Sequence, residues 1–174
     1  DPTKRTFGLV EAGDAGTWVG IGVGTKAGGT FQQSDLAGTW HVYLYDDDPM
    51  SNGPEWAKLI VPIDATGAVQ PAGSSFVFST GESGPLTGGS FTLNPSDGTF
   101  TGTVTAAAGG TSFDGKLSQS KTHFGAVEPT VPQQDDNRGV VVGLKQGGSF
   151  TPADLAGTWH LLYFADGLTA NDPT

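Results

Sequence analysis

Acidic side chains at the end of one apolar run are the first candidates for chemistry in this sequence. Asp46, Asp47 and Asp48 follow the run 39–45 directly. Ca²⁺ prefers several oxygen ligands, which loop carboxylates can supply. The spacing of an EF-hand loop is absent, and acidic turns also discourage strand edges from pairing. We therefore predict solvated turn residues here, with a calcium site at these aspartates as the alternative.

Histidines and hydroxyl residues give no recognisable catalytic pattern. His41 and His160 are the last residues of two copies of the same heptapeptide. One structural role repeated twice is therefore a simpler interpretation than a metal site formed by these two residues and His123. No Gly-x-Ser-x-Gly motif occurs, and there is no cysteine. A carboxylate pair for glycoside cleavage depends on distance in space, so the sequence leaves that alternative open. We predict a protein without catalytic residues or cofactor.

Charge and composition exclude some partners and favour a location. A formal net charge of −10, with 8 basic residues of which only Lys4 and Arg5 are adjacent, excludes nucleic-acid binding, because phosphate contacts need clustered Lys and Arg. No apolar run reaches the length of a membrane helix, so no membrane span is predicted. The 28 glycines, the low charged fraction and the tandem repetition resemble secreted or surface-displayed bacterial β-proteins. The first residue, Asp1, fits a processed product, a fragment or a trimmed chain.

A duplication organises the chain. The run from Asp35 to His41 recurs letter for letter from Asp154 to His160, 119 residues later (159 − 40 for the tryptophans), and 11 of 20 positions agree between 28–47 and 147–166. The segment 4–10 has a counterpart at 121–127, and 18–26 has one at 138–145. We therefore predict about one and a half copies of a repeat of about 119 residues, in which 4–47 is related to 121–166.

Short alternating runs separated by Gly, Asn, Asp and Pro predict the fold. Phe100, Gly102 and Val104 alternate with threonines, as in a strand with one exposed face. We expect about ten strands in an all-β antiparallel meander, which closes as a barrel or folds over as a sandwich. The prediction is one barrel-like domain over residues 1–174.

The strand from Thr39 to Tyr45 is apolar on both faces. One face carries Trp40, Val42 and Leu44, and the other carries aromatic and imidazole side chains. A strand of this kind is covered on both sides, by its own chain or by another. The face opposite Trp40, and the equivalent face of the second copy, are therefore predicted interaction surfaces. The residues are His41, Tyr43 and Tyr45 in the first copy and His160, Leu162 and Phe164 in the second.

The triplets Gly38-Thr39-Trp40 and Gly157-Thr158-Trp159, each preceded by a Phe and an Asp-Leu, resemble the first-strand signature of lipocalins and related calycin barrels. The resemblance implies an eight-stranded up-and-down barrel that holds an apolar ligand. It also implies that Trp40 plugs the closed end as a structural residue, and Gly38, Gly157 and Trp159 are the other structural candidates. The signature occurs twice here, and no later motif of that family is found.

Two function classes follow. The first is a non-enzymatic structural or interaction module, extracellular or on the cell surface, which associates with itself or with neighbouring repeats and could build a filament or surface array. The alternative is a calycin-like binder of a small apolar ligand. A dry, filled interior favours the first class, and a cavity that binds a fatty-acid probe favours the second.

Overall fold

Strands account for nearly all regular structure in the parts of the chain that the computed structural model describes. Those parts are residues 6–12, 19–25, 28–46, 55–107, 109–129 and 139–147, with Thr151, Ala153 and Ala156. One 3-10 turn, Gln33–Leu36, precedes the third strand. The strands are β1 Thr6–Ala12, β2 Val19–Thr25, β3 Gly38–Asp46, β4 Glu55–Ile63, β5 Ser75–Phe78, β6 Ser83–Gly84, β7 Leu86–Leu93, β8 Thr99–Ala106, β9 Gly109–Leu117, β10 His123–Val127 and β11 Gly139–Lys145.

Nine of these strands form one antiparallel sheet, and β1 and β2 form a separate hairpin. The order in the large sheet is β6-β5-β4-β3-β11-β10-β9-β8-β7. Its two end strands, β6 and β7, follow each other in the chain with only Pro85 between them. The sheet therefore returns on itself as a nearly closed barrel. The all-β meander is confirmed, and of the two architectures considered the chain forms the barrel; the internal repeat stays a prediction.

The turn after β4 helps to close the barrel. Asp64 holds this turn, because its carboxylate accepts hydrogen bonds from Thr66 N–H at 2.8 Å and from Ala68 N–H at 3.0 Å. Ala68 then forms a bridge to Ser90 of β7. On the other side, Gly67 O accepts a hydrogen bond from Phe91 N–H at 2.8 Å. Backbone pairing thus links the end of β4 to β7 across the gap between them.

Phenylalanines that face glycines pack the interior. Phe91 lies opposite Gly102, Phe100 opposite Gly115, and Phe124 opposite Gly143. In each pair a Cβ on the glycine would collide with the ring of its partner. Glycine on the neighbouring strand thus leaves room for a ring that lies flat against the sheet.

These rings form a continuous chain of contacts across the barrel. Trp40 packs on Phe124 and Phe124 on Phe100, each with ring centroids 5.0 Å apart. Phe91 packs on Phe100 at 5.8 Å and on Phe113 at 6.2 Å. Side chains therefore occupy the interior along this line, as in the packed core of an ordinary domain.

The segment 28–37 crosses one end of the barrel. Phe31 is buried against Gly98. The side-chain amide of Gln33 hydrogen-bonds to the backbone of β7 as a neighbouring strand would. It donates to Phe91 O at 2.8 Å and accepts from Leu93 N–H at 2.9 Å. Leu36 is fully buried, and its carbonyl accepts a hydrogen bond from Trp40 Nε1 at 2.7 Å. Gln33 and Leu36 are the first and last residues of the 3-10 turn.

The described residues form eleven strands, where about ten were expected. Their lengths range from two residues in β6 to nine residues in β3, β4 and β9. No helix in the described part of the chain is long and apolar enough to cross a bilayer.

Candidate interaction surface

The predicted outward row of β3 lies on the outside of the barrel. Trp40 and Val42 point into the core and are at most 1 % exposed. His41 and Tyr45 are half-buried on the other face, and Tyr43 between them is 45 % exposed. The alternation predicted from the sequence is confirmed for this strand.

Strand register extends this row sideways over the neighbouring strands. Tyr45 lies opposite Val140 of β11 and Trp56 of β4. Tyr43 lies opposite Val142 and Lys58, and His41 lies opposite Leu144 and Ile60. One further step outward adds Val127 beside Val140 and Val77 beside Lys58.

These outward residues form one surface, which we call the apolar wall. It consists of His41, Tyr43, Tyr45, Trp56, Lys58, Ile60, Val77, Val127, Val140, Val142 and Leu144. It holds every exposed large apolar side chain found among the described residues: Tyr43 45 %, Trp56 50 %, Val77 39 %, Val127 52 % and Leu144 48 %. Exposed apolar side chains gathered on one side of a protein mark an interaction site more often than scattered single residues do.

The inner face of β11 is limited in space at one position. Gly139, Val141 and Gly143 face inward, and the ring of Phe124 occupies the space over Gly143. A Cβ at position 143 would collide with that ring, whereas Val141 is accommodated on the same inner face. Val140, Val142 and Leu144 lie on the outer face of the strand.

The opposite side of the barrel has a different chemistry. The outward positions of β7, β8 and β9 carry mainly hydroxyl groups, which we call the hydroxyl wall: Ser90, Thr92, Thr101, Thr103, Thr105 and Ser112. Cross-strand pairs align them, with Thr101 opposite Thr92 and Thr103 opposite both Ser90 and Ser112. Small polar side chains of this kind are typical of a face in contact with water.

The described charges on and near the apolar wall are few. Lys58 is exposed at its centre. Burial lowers the pKa of His123, which lies opposite Leu144 at the edge of the wall. Burial also lowers the pKa of Lys145, although the nearby Asp35 carboxylate acts in the opposite direction. Lys58 is thus an exposed charge within the wall, and Asp114 lies opposite Val127 at its margin.

The β1–β2 hairpin rests on one margin of the wall. Its strand β2 contacts β10 and β11, and an open groove of about 790 Å³ lies between it and the barrel. Gly22 lines the groove with Val127 and Val140 on its apolar side and Asp114 and Lys116 on its polar side. A piece of β-structure from the same chain thus already packs on part of this surface, and Tyr43 and Trp56 stay exposed beside it.

The structure places part of the predicted structural and metal-binding residues. Gly38 has φ 130°, in the region that favours glycine, and a Cβ there would press on Lys145. Asp46 pairs through its backbone with Gly139 and Glu55. The remaining candidates lie outside the described residues: Asp47, Asp48, Gly157, Trp159, His160, Leu162 and Phe164. Within the described ranges, no three His, Asp or Glu side chains come together as a metal-binding group.

Sequence reasoning did not select Trp56, Val77, Val127 and Leu144 for the surface. The outward direction of Val140, Val142 and Leu144 was not predicted. The available signal was glycine at positions 139 and 143, which share the other face of a strand that follows the phenylalanine-containing strand β10.

A scan against protein-family models and a search of curated protein sequences both returned no match to this chain.

Proposed function

We propose that this protein is a non-enzymatic structural and interaction module, extracellular or on the cell surface, which associates with further copies through its apolar wall. The observation that carries the proposal is the unequal outer surface of the barrel. One side gathers all five of the exposed large apolar side chains described, and the other carries hydroxyl groups.

The energetics support association through this surface. Fully burying one large apolar side chain stabilises a complex by about 1.5–3 kcal/mol before ordering costs. Tyr43 and Trp56 lie one strand apart and two residues out of register, so one partner surface can cover both. Tyrosine and tryptophan are also enriched among the residues that dominate binding energy in interfaces.

The interior supports a structural rather than a catalytic role. The aromatic chain from Trp40 to Phe113 occupies the space in which an enclosed site would form. The extracellular or surface location rests on composition, since the low charged fraction, the 28 glycines and the tandem repetition resemble secreted or surface-displayed bacterial β-proteins.

The double variant Tyr43→Asp/Trp56→Asp tests the proposal. We expect light scattering of the wild-type protein to give a particle mass greater than that of one chain as the protein concentration rises. The variant keeps the barrel, because both side chains point outward, and it elutes as a single chain. Circular dichroism and thermal unfolding establish that the variant is folded.

The control is Thr101→Asp/Thr103→Asp, which adds the same charge to the hydroxyl wall. It is expected to associate as the wild type does. A wild type that stays a single chain at high concentration would contradict the proposal, as would equal loss of association in both double variants.

A calycin-like binder of a small apolar ligand is the second candidate. It is supported by the barrel itself, with buried Trp40 and the segment 28–37 at one end. A fluorescent fatty-acid probe separates the two functions. Micromolar binding that an apolar competitor displaces favours the binder, whereas the structural module predicts no saturable binding.

A further inference from the structure

The open groove between β2 and the barrel has the size of a ligand site. Its volume is about 790 Å³, and sites for small molecules in other proteins occupy about 300–1,000 Å³. Gly22 lines it on the side of β2, and the strands β7 to β11 provide its floor. The chemistry of that floor determines which ligand the groove can accept.

One straight row of side chains crosses the floor from β7 to β11. Strand register places its members directly opposite one another, in this order: Thr92, Thr101, Asp114, Val127 and Val140. The first three are polar and the last two are apolar. Neighbouring strands lie about 4.7–4.9 Å apart, so the polar half of the row spans about 10 Å. The groove therefore offers a polar strip and an apolar strip side by side, long enough to contact more than one ring of an oligosaccharide.

The three polar side chains of this row have no partner within the described part of the chain. Thr92, Thr101 and Asp114 are exposed, and none of them forms a hydrogen bond or ion pair with a described residue. Thr103, two residues further along β8 and outside the groove, instead accepts a hydrogen bond from Ser90 N–H at 3.3 Å. The hydroxyl groups inside the groove are thus available to a ligand.

A second row beside the first has its polar groups already engaged. Lys116 lies opposite Thr99 and Gly125. Its Nζ donates to Asp97 O at 2.6 Å, and the Thr99 hydroxyl donates to the Asp97 carboxylate at 2.7 Å. Gly125 has no side chain and leaves room above the floor. The second row therefore holds the shape of the groove, and the first row supplies the groups that bind.

The polar strip selects a ligand that carries hydroxyl groups. A carboxylate only accepts hydrogen bonds, so a ligand that covers Asp114 must donate to it, or the buried charge would cost free energy. Threonine hydroxyls both donate and accept. Sugar hydroxyls also do both, and the C–H face of a sugar ring suits the valines beside them. Fatty acids and their esters lack the donors that Asp114 needs.

Charge favours a neutral ligand. Asp114 and Lys116 are the charged residues among the described residues that line the groove, so their formal charges cancel. The whole chain carries a net charge of −10, which repels anions. An extended peptide would need a free strand edge, whereas the floor strands β8, β9 and β10 are paired on both edges.

We propose that this groove binds a neutral oligosaccharide. The polar strip from Thr92 to Asp114 hydrogen-bonds to sugar hydroxyls, and the valines of β10 and β11 contact the face of a ring. Binding here does not rest on the proposed association of copies, because Tyr43 and Trp56 lie outside the groove.

Nuclear magnetic resonance of the ¹⁵N-labelled full chain tests the proposal. The probes are soluble neutral tetrasaccharides of glucose, galactose, mannose, xylose or N-acetylglucosamine, each titrated to millimolar concentration. We expect at least one of them to shift the backbone resonances around Thr101 and Asp114 in a saturable way. An uncharged peptide of extended conformation is titrated in parallel.

Substitutions on the floor locate the site. Thr101→Val and Asp114→Asn each remove one of the proposed hydrogen-bonding groups and are expected to raise the Kd of that sugar about tenfold. The matched control is Thr103→Val, on the same strand and the same outer face but outside the groove, which is expected to leave the Kd unchanged. Circular dichroism establishes that all three variants are folded.

Three results would overturn the inference. One is the absence of saturable shifts with every tetrasaccharide, and another is an equal rise in Kd for Thr101→Val and Thr103→Val. The third is binding of the peptide at these resonances without binding of any sugar, which would assign the groove to a protein partner. Repeating the titration with Tyr43→Asp/Trp56→Asp keeps this result separate from the association of copies, since sugar binding is expected to persist in that variant.

Discussion

Inside this barrel, phenylalanine rings pack against glycines of the neighbouring strand, so the space for a side chain at one position depends on the residue at the other. Phe91 lies on Gly102, and a Cβ at that glycine would fall within the ring. Gly102→Ala is therefore expected to destabilise the protein by about 1–3 kcal/mol through overpacking, measured as a lower urea midpoint. In the Phe91→Leu background the same substitution should cost less, because the ring is gone.

The matched control is Gly88→Ala in β7. A Cβ there would meet only Thr105 Oγ1, at an ordinary 3.6 Å, so we expect little change in stability. Equal costs for the alanines at 88 and 102 would show that the glycine–ring contact is not the cause. So would a cost at Gly102 that does not change when Phe91 is shortened.

Among the connecting segments, 28–37 is attached to the barrel through the side chain of Gln33. Gln33 makes two hydrogen bonds to the backbone of β7. Gln33→Ala leaves Phe91 O and Leu93 N–H without these partners and is expected to cost about 1–3 kcal/mol. Ser34→Ala, at an exposed neighbour, is the control for urea unfolding. An equal effect of the two variants would contradict the role assigned to Gln33.

Strands could be predicted from the sequence because their signals are local. The threonine alternation of β8 and the turn at Asn94 to Gly98 were sufficient to locate β8 and the end of β7. The short β6 could not be predicted, because its two residues become a strand only by pairing with Phe76 and Val77. The contacts of Gln33 with β7 likewise join residues about 60 apart, and alternation carries no information on such pairs.

The candidate surface was predicted only in part, for a related reason. The row on β3 was found because that strand is apolar on both faces. Its continuation over β4, β5, β10 and β11 depends on strand order and register, which nonlocal pairing determines. The need for glycine at position 143 depends on Phe124, which belongs to the preceding strand.

On the scale of the whole molecule, the apolar wall provides a route to larger assemblies. Association through this surface buries side chains and leaves every strand pairing unchanged.

Acid is expected to destabilise the fold at two separate ranges of pH. Burial lowers the pKa of His123 below 6.5, so the unfolded chain binds the proton more readily than the folded one. The resulting loss of stability begins as the pH falls through 6.5 and is complete below the folded pKa. Hydrogen bonds from the Thr66 hydroxyl and from Thr99 N–H lower the pKa of Asp64 and Asp97 respectively below 3.8. Their contribution is present in full above 3.8 and is lost as the pH falls through the folded values.

Comparing variants with the wild type separates the contributions of His123, Asp64 and Asp97 to acid sensitivity from the general effect of a net charge of −10. His123→Asn should remove the dependence near neutral pH and leave the dependence below 4. Asp64→Asn/Asp97→Asn should do the reverse. The measurement is the urea midpoint between pH 8 and pH 3, each variant minus the wild type. If the difference between His123→Asn and the wild type stays constant from pH 8 to pH 5, burial of that imidazole does not contribute to acid sensitivity.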